Sequence, residues 1–345
     1  MTVSKRFILL TLVAMFCAFS LTGIVQPAEA APVVLKFAGQ NPPEHFATVS
    51  MNEIAKEVAQ KTNNRVQIKV FPANQLGDYS LVYEELIRGT VEMACISFPS
   101  QFDNRMDLIY VQGYTSSYEQ VANVYDPNGW FFKKMDGFNS RLGVKLLGMY
   151  LEGMVGIGTV KPMKEPLNPK VDKGLLLRIP NMDVFKTALE GAGFRTISIP
   201  FADVYQSMQT GVCDGDTGYS IVAAYTTFGD VIKHWYNFNK NTECLGIMIS
   251  DKVWKKLSAE DRKVLQQAVS KQAALSITNA KANDQKYLDL MKKKGIQVHM
   301  YTPKELKPMM DAFAATWGQL DQSKGKDLMD EFKKEMKKIS DKIAK

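Results

Sequence analysis

Arg178 is the residue whose type and position most directly suggest ligand chemistry. It lies in the run Gly174-Leu-Leu-Leu-Arg-Ile-Pro180, which predicts a strand that Pro180 ends, so its guanidinium lies at the carboxyl end of that strand. Ligands of α/β sheets bind beyond the carboxyl ends of strands, and arginine suits two-point pairing with a carboxylate. The alternative is a surface arginine on an edge strand, and this segment alone does not decide between them.

Two acidic residues in Asp214-Gly-Asp216 form a second candidate, directly after a short predicted strand at 212–214. Paired carboxylates could bind a cation or act as general acid and base. The same residue types form turns, and Asp216 could cap a helix that we expect to open at Thr217–Tyr219. Since no third ligand accompanies the pair, we favour a turn.

Side chains at strand ends in both halves of the chain suggest a cleft. Ser97 and Phe98 lie at the end of a predicted strand in the first half, and Phe201 follows Pro200 in the second. Each one alone is commonly part of a core or a loop. Two α/β lobes that meet at such strand ends would enclose a ligand between them.

Several other chemistries are disfavoured. The three histidines, His45, His234 and His299, have no metal-ligand spacing, and the common nucleotide-binding and serine-hydrolase motifs are missing from the sequence. The net charge of +7 is spread along the chain, and the lysine-rich segment 324–345 has apolar residues at helical spacing. We therefore expect no metal, no cofactor and no nucleic-acid partner.

The N-terminus has the pattern of an export signal. Lys5 and Arg6 precede an uncharged, mostly apolar run, which ends in an A-x-A motif before Ala31. We expect cleavage near Ala30, export to the periplasm and a soluble mature protein; a permanent membrane anchor is the alternative. Three cysteines then remain, and we expect them to be buried apolar groups, with a Cys213–Cys244 bridge as the less favoured possibility.

Strand and helix patterns alternate along the mature chain, which predicts α/β architecture with mainly parallel strands. From Ser258 to about Lys294 no Pro or Gly interrupts a helical pattern, and a helix of that length should span two lobes. Predicted strands are Val33–Ala38, Arg65–Phe71, Val91–Ser97, Val144–Tyr150, Leu175–Ile179, Thr196–Ile199, 212–214 and Leu245–Ile249, and predicted helices before the long one are Phe46–Thr62, Tyr79–Arg88, Asp183–Ala192 and Asp203–Gly211.

From Val33 to about Gly295 the chain resembles the solute-binding subunits of tripartite ATP-independent periplasmic (TRAP) transporters, the DctP-like family. Four blocks carry the resemblance, and they occur in the family's order. They are Arg65–Asp78 (RVQIKVFPANQLGD), Lys173–Asn181 (KGLLLRIPN), Ser198–Gly215 (SIPFADVYQSMQTGVCDG) and Ile249–Leu257 (ISDKVWKKL). The resemblance implies a two-lobed periplasmic binding protein fold of type II-like topology, with a hinge and a long helix that spans both lobes.

The resemblance also implies ligand-binding residues. The family's carboxylate-binding arginine falls on Arg178, a ligand-contacting asparagine on Asn181, and a ring that packs on the ligand on Phe201. First-lobe contacts fall near Gln40 and Ser97. The full set of candidates adds Phe98, Tyr219 and Glu152.

The chain departs from the family at two polar positions. Val155 stands at about the place where many members have another arginine, and Gly218 followed by Tyr219 stands where members have an asparagine. These departures favour a monocarboxylate with an apolar or aromatic body over a ligand that needs two arginines.

We therefore expect a binding protein, not an enzyme, that delivers an organic acid to a TRAP-type membrane permease. A receptor for an ATP-driven importer or a sensor is the alternative within binding proteins. A secreted enzyme would require Glu152 to meet Asp214 or Asp216, or His234 to meet a Ser or Cys. The expected domains are a signal peptide at 1–30, a first lobe of 31–152 with 243–283, and a second lobe of 153–242 with 284–345.

Overall fold

A mixed sheet of ten strands runs through residues 31–343, the part of the chain that this computed structural model describes. The signal peptide predicted at 1–30 lies outside the described residues. In chain order the strands are β1 (Val33–Gly39), β2 (Val66–Phe71), β3 (Met93–Ile96), β4 (Val144–Thr159), β5 (Leu176–Ile179), β6 (Arg195–Ser198), β7 (Gly215–Ser220), β8 (His234–Tyr236), β9 (Thr242–Ser250) and β10 (Gln297–His299).

The sheet has two halves, and β4 belongs to both. On one side β1 is parallel to β2 and β3, and β9 joins β3 to β4. On the other side β5 is parallel to β6 and β7, and β7 pairs with β4. Each half thus has a parallel core, as the alternating pattern of the sequence predicts. The α/β class and the two-lobed arrangement are confirmed.

The long strand β4 crosses from one half of the sheet to the other. Its residues Val144–Met154 pair with β9, whereas Val155–Thr159 pair with β7 and β8. The pairing with β9 shifts register between Leu151 and Gly153. We call residues 151–154 the crossing segment, because β4 passes there from one half of the sheet to the other.

Helices cover the faces of both halves. Short 3-10 helices occur at Asn104–Tyr110, Phe201–Asp203 and Trp317–Leu320. The α-helices are α1 (Phe46–Lys61), α2 (Tyr79–Arg88), α3 (Tyr118–Val124), α4 (Trp130–Arg141), α5 (Asp183–Gly191), α6 (Val204–Thr210), α7 (Ile221–Thr226), α8 (Asp251–Trp254), α9 (Ala259–Lys293), α10 (Pro303–Ala315), α11 (Asp321–Lys324) and α12 (Lys326–Ile343).

The predicted long helix is α9, which has 35 residues. Ser258 caps its N-terminus, where the Ser258 hydroxyl accepts the Asp261 N–H at 3.0 Å. The helix packs along β4 and reaches α1 in one lobe and α7 and β10 in the other. Its side chains bond to successive β4 positions: Gln266 to the Leu147 carbonyl (2.7 Å), Ser276 to the Leu151 N–H (3.0 Å) and Asp284 to the Met154 N–H (2.8 Å). The helix therefore braces the strand on which both lobes depend.

The prediction for residues 212–219 is wrong. Asp214-Gly-Asp216 is not a turn before a helix, since Gly215–Ser220 forms β7 and the helix begins at Ile221. Glycine is disfavoured in strands, so the residue types of this segment do not predict the strand that it forms. Here Gly215 is required by close packing, because a Cβ atom on it would lie 2.5 Å from the Gly158 carbonyl oxygen of β4.

The C-terminal helix α12 packs against α3, which the predicted domain limits assign to the other lobe. Phe332 of α12 contacts the rings of Tyr114, Phe131 and Trp317. The apolar residues at helical spacing thus face a core, as the sequence indicates. The exact lobe limits, 31–152 with 243–283 and 153–242 with 284–345, stay a prediction.

The three cysteines of the described part, Cys95, Cys213 and Cys244, are buried and unbridged. Across residues 31–343 no helix is both long and apolar enough to cross a membrane.

Candidate functional site

Arg178 is the centre of the candidate site. It lies in β5, between Ile197 of β6 and Asp216 of β7, and only 1% of its surface is exposed. Its Nε donates to the Ile199 carbonyl oxygen at 2.7 Å, and its Nη1 donates to Asp216 Oδ1 at 3.2 Å. The surface-arginine alternative is therefore excluded by the burial of this side chain.

Asp216 balances the charge of Arg178 inside the protein. The carboxylate is fully buried, and burial raises its pKa to about 7 even though the Arg178 guanidinium acts in the opposite direction. The ion pair and the bond to the Ile199 carbonyl oxygen together hold the guanidinium in place. A guanidinium has further N–H donors, so the pair leaves Arg178 able to bind a second carboxylate.

Arg178 lines a small cavity between the two halves of the sheet. The volume open to the centre of a water molecule is about 10 Å³, close to the space of one water, so an organic acid can enter only when the two halves move apart. Beside it the Ala202 N–H donates to Asp78 Oδ2 at 3.3 Å, a contact between segments that the sequence assigns to different lobes. The lining residues are Tyr79, Ser97, Tyr110, Arg178, Pro180, Met182, Phe185, Phe201, Gly218 and Glu243.

A larger groove of about 490 Å³ lies elsewhere, between α9, β4 and the segment 122–127. Its walls include Leu147, Ala273 and Ile277. We favour the smaller cavity as the ligand site because buried charged groups converge there from both halves of the sheet, which is typical of specific ligand sites.

Three of the predicted ligand residues line the cavity: Arg178, Phe201 and Ser97. The ring of Phe201 lies 6.0 Å from the Arg178 guanidinium carbon. Gln40 does not line the cavity but contacts Ser97, which does. Its side chain accepts a hydrogen bond from the Ser97 N–H (2.9 Å) and donates one to the Ser97 hydroxyl (3.1 Å). Gln40 therefore orients Ser97.

The other predicted residues lie away from the cavity wall. Asn181 is exposed, and its neighbours Pro180 and Met182 line the cavity instead, because the chain turns outward where Pro180 ends β5. Phe98 is buried in the core, and its N–H donates to the Tyr110 hydroxyl at 2.9 Å, so it helps to place Tyr110. Tyr219 packs on Phe228 and Trp235.

Glu152 lies in the crossing segment and connects both lobes. It accepts hydrogen bonds from Asn41, which follows β1, and from the Ser220 hydroxyl at the end of β7 (3.2 Å). His45 Nε2 is 3.7 Å from Glu152 Oε1, but burial lowers the pKa of His45 to about 3, so this histidine is neutral. Glu152 therefore tethers the two lobes to β4.

As pH rises from about 5 to 8, we expect the free energy of unfolding to fall less in Glu152→Gln than in wild type. Burial raises the pKa of Glu152 to about 7 in the folded protein, above its ordinary value of 4.5. A carboxyl with a raised folded pKa stabilises the fold fully below its unfolded pKa, and that contribution is lost as pH rises to the folded pKa. Thermal melts across this range measure the difference from wild type. An unchanged slope would contradict the prediction; exposed Asp289→Asn is the control and should follow wild type.

Sequence reasoning missed the carboxyl group of Glu243, which lines the cavity from β9. Its Oε1 accepts the Ser97 hydroxyl proton at 2.8 Å. Burial, with Glu152 nearby, raises the pKa of Glu243 well above its usual value. A single acidic residue at the start of an otherwise apolar strand was the available signal.

Lys240 is a second missed charge, fully buried just before β9. Its Nζ donates to Gln112 and to Asn241 Oδ1 (3.1 Å), and it lies 5.3 Å from the centre of the Phe185 ring. Burial lowers the pKa of Lys240 to about 7. Two buried basic groups, Arg178 and Lys240, and two buried carboxyl groups, Asp216 and Glu243, thus lie at or beside the cavity.

Among the described residues, His, Cys, Asp and Glu side chains form no group of three or more that could hold a metal ion.

Comparison with known proteins assigns the chain to a family. Residues 37–324 match the family model of the bacterial extracellular solute-binding proteins, family 7. The C4-dicarboxylate-binding periplasmic protein DctP of Vibrio cholerae is 26% identical over 323 residues, which cover 91% of this chain and 93% of that protein. The sialic acid-binding periplasmic protein SiaP of the same species is 23% identical and covers 81% of this chain and 86% of its own length.

Solved structures show the same fold. The sugar acid binding protein of Advenella mimigardefordensis, in complex with galactonate, superimposes with a TM-score of 0.82 at 18% identity, covering 89% of this chain and 99% of that one. A TRAP periplasmic solute binding protein of Shewanella oneidensis, with bound succinate, gives 0.79 at 22% identity, covering 89% and 100%. The family match spans most of the chain and identifies the protein as a member of the family 7 extracellular solute-binding proteins, the substrate-binding proteins of TRAP transporters.

Proposed function

We propose that the protein captures a small organic acid, expected to be a monocarboxylate, in the cavity between its lobes and delivers it to a TRAP-type permease. The observation that carries the proposal is the position of Arg178, buried on the cavity wall and held in place by Asp216 and the Ile199 carbonyl. The relatives fit this role, since they are named for binding dicarboxylates or sialic acid.

The cavity wall supports a ligand with an apolar or aromatic body. Around Arg178 it offers the rings of Tyr79, Tyr110, Phe185 and Phe201. Val155, at the place of a second arginine in many family members, is buried in β4 and pairs with Ser220. A single buried arginine on a wall whose other residues are mostly apolar or aromatic suits one carboxylate better than two.

We also infer that the protein binds its ligand without transforming it. The groups that an enzyme would need are engaged elsewhere: Asp214 pairs with Lys161 (2.8 Å), Asp216 with Arg178, and Glu152 with Asn41 and Ser220. His234 lies 3.3 Å from His299. The proposed location is the periplasm, after cleavage near Ala30.

A thermal-shift screen against small carboxylates tests the proposal. The panel pairs each acid with its amide, for example benzoate with benzamide and pyruvate with pyruvamide. A carboxylate at 100 times its Kd should stabilise the protein by about 2.7 kcal/mol, and its amide should not. Chemical analysis after incubation should recover the acid unchanged. Equal stabilisation by acid and amide, or conversion of the acid, would contradict the proposal.

Ligand binding should also bring the lobes together. The cavity takes side chains from both halves of the sheet, so a ligand gains its full set of contacts only when the lobes are closed. Small-angle scattering should give a smaller radius of gyration with a stabilising carboxylate than without one. The amide of that acid is the control, and an unchanged radius at saturation would rule out closure by the ligand.

A further inference from the structure

Glu243 places a carboxyl group in the same small cavity as Arg178. Its side chain is 2% exposed, and its Oε1 accepts the Ser97 hydroxyl proton. The nearby cations are held by other groups, because Arg178 pairs with Asp216 and Lys240 bonds to Gln112 and Asn241. The titratable groups that face Glu243 are Glu152 from β4, Arg178 from β5, Lys240 and Cys244 around the start of β9, Tyr79 from α2 and Tyr110 from the 3-10 helix.

A ligand carboxylate bound at Arg178 must share this confined space with Glu243. Two carboxyl groups in one buried cavity do not both ionise, because each charge opposes the other where water cannot screen them. One of the two must hold a proton. The ligand oxygens are paired with a guanidinium, whereas the Glu243 carboxyl accepts only a neutral hydroxyl, so the proton belongs on Glu243.

We propose that Glu243 is protonated in the ligand complex and donates this proton to a ligand oxygen, so that the protein takes up the acid together with one proton. The proposal rests on the proposed function, since it requires a carboxylate ligand at Arg178. Burial and the neighbouring Glu152 already raise the pKa of Glu243 well above its usual range, so the proton is available at low cost. Glu243 is then a specificity residue: it selects ligands with an acceptor oxygen and disfavours a cationic group at that end.

The sign of the pH dependence follows from the charges. The negative ligand raises the pKa of Glu243 further, so this pKa is higher in the complex than in the free protein. At a pH between these two pKa values, binding takes up about one proton, and affinity falls by as much as about tenfold for each unit of rising pH. At a pH below the pKa of Glu243 in the free protein, affinity is independent of pH until the ligand itself is protonated.

Calorimetry in two buffers of different ionisation enthalpy measures the proton directly. The probes are pyruvate, lactate, benzoate and succinate, and the tightest of them is titrated between about pH 6 and 9. In wild type we expect uptake that approaches one proton per ligand, with weaker binding at higher pH. Glu243→Gln keeps a neutral donor, so it should bind within about threefold of the wild-type value at low pH, with no uptake and a flat profile. Glu190→Gln, at the exposed contact with Thr196, should behave as wild type.

Three results would overturn the proposal. Flat affinity without uptake in wild type would mean that Glu243 does not gain a proton when the ligand binds, and proton release would mean that binding favours its ionised form. A loss of more than about tenfold in Glu243→Gln at every pH would mean that an ionised Glu243 contacts a cation of the ligand or a metal ion. Uptake that persists in Glu243→Gln would place the proton on Lys240 or Asp216. If none of the four probes binds and no other acid of the thermal-shift panel does, the proposed function itself fails, which is a distinct result.

Discussion

Replacing Arg178 by alanine is expected to weaken carboxylate binding by about 30-fold to several thousand-fold, which corresponds to roughly 2–5 kcal/mol. The guanidinium is buried on the cavity wall, so a ligand carboxylate bound there is desolvated and depends on this partner. Arg178→Lys should restore only part of the affinity, because an ammonium keeps the charge but lacks the planar pair of donors. Calorimetry with the carboxylate found in the thermal-shift screen measures both variants.

The matched control for Arg178→Ala is Arg195→Ala on the neighbouring strand β6. Arg195 is exposed and its nearest acidic partner, Asp172, lies at the surface at 3.5 Å. Its removal should leave affinity within about twofold of wild type. If Arg178→Ala and Arg178→Lys both bind within about threefold of wild type, Arg178 is not the carboxylate-binding residue.

The loss of Arg178 should also affect folding. Because Arg178 is paired with the buried Asp216, Arg178→Ala should destabilise the fold by about 3–5 kcal/mol. The loss should be smaller at pH 6 than at pH 8, since the pKa of Asp216 is already about 7 and rises further without the arginine, so protonation relieves the unpaired charge. Affinity must therefore be measured below the melting temperature of the variant.

The sequence could locate Arg178 because the signal is local. Strand alternation and the end of the strand at Pro180 place the side chain at the carboxyl end of β5. Ligands of α/β sheets bind at the carboxyl ends of strands, so this position predicts a ligand contact. The length of α9 was likewise readable, since neither Pro nor Gly interrupts it and Ser258 caps it. Each of these inferences depends on residues that are close together in the chain.

The carboxyl and phenol groups of the cavity were not predictable in this way. Tyr79 and Tyr110 belong to a helix and a 3-10 segment, and nothing local distinguishes them from core aromatics. Glu243 reaches the cavity only because β9 pairs with β4 at the crossing segment, a contact between distant parts of the chain. Asn181, which the motif predicts to contact the ligand, is exposed beside the cavity, because its orientation depends on the backbone after Pro180.

Gly153, in the crossing segment, should be among the most sensitive positions for stability. Its φ is +143°, and a Cβ atom there would lie 2.2 Å from Asp284 Oδ1. Asp284 cannot move away cheaply, since its Oδ2 accepts the Met154 N–H (2.8 Å) and the Tyr118 hydroxyl proton (2.7 Å). Backbone strain and the clash together should make Gly153→Ala lower the free energy of unfolding by about 2–5 kcal/mol, measured by chemical denaturation.

Gly174→Ala separates the clash from the backbone strain. Gly174 also has a positive φ, +70°, but a Cβ atom there would meet no heavy atom within 4 Å. Gly174→Ala should lower the free energy of unfolding by roughly 1–2 kcal/mol, which is the cost of a left-handed backbone conformation without a clash. The double variant Gly153→Ala/Asp284→Ala should lose less than the sum of its two single variants, because the smaller side chain makes room for the new methyl group. If Gly153→Ala costs no more than Gly174→Ala, or if the double variant is additive, then the contact between Asp284 and β4 does not set the geometry of the crossing segment.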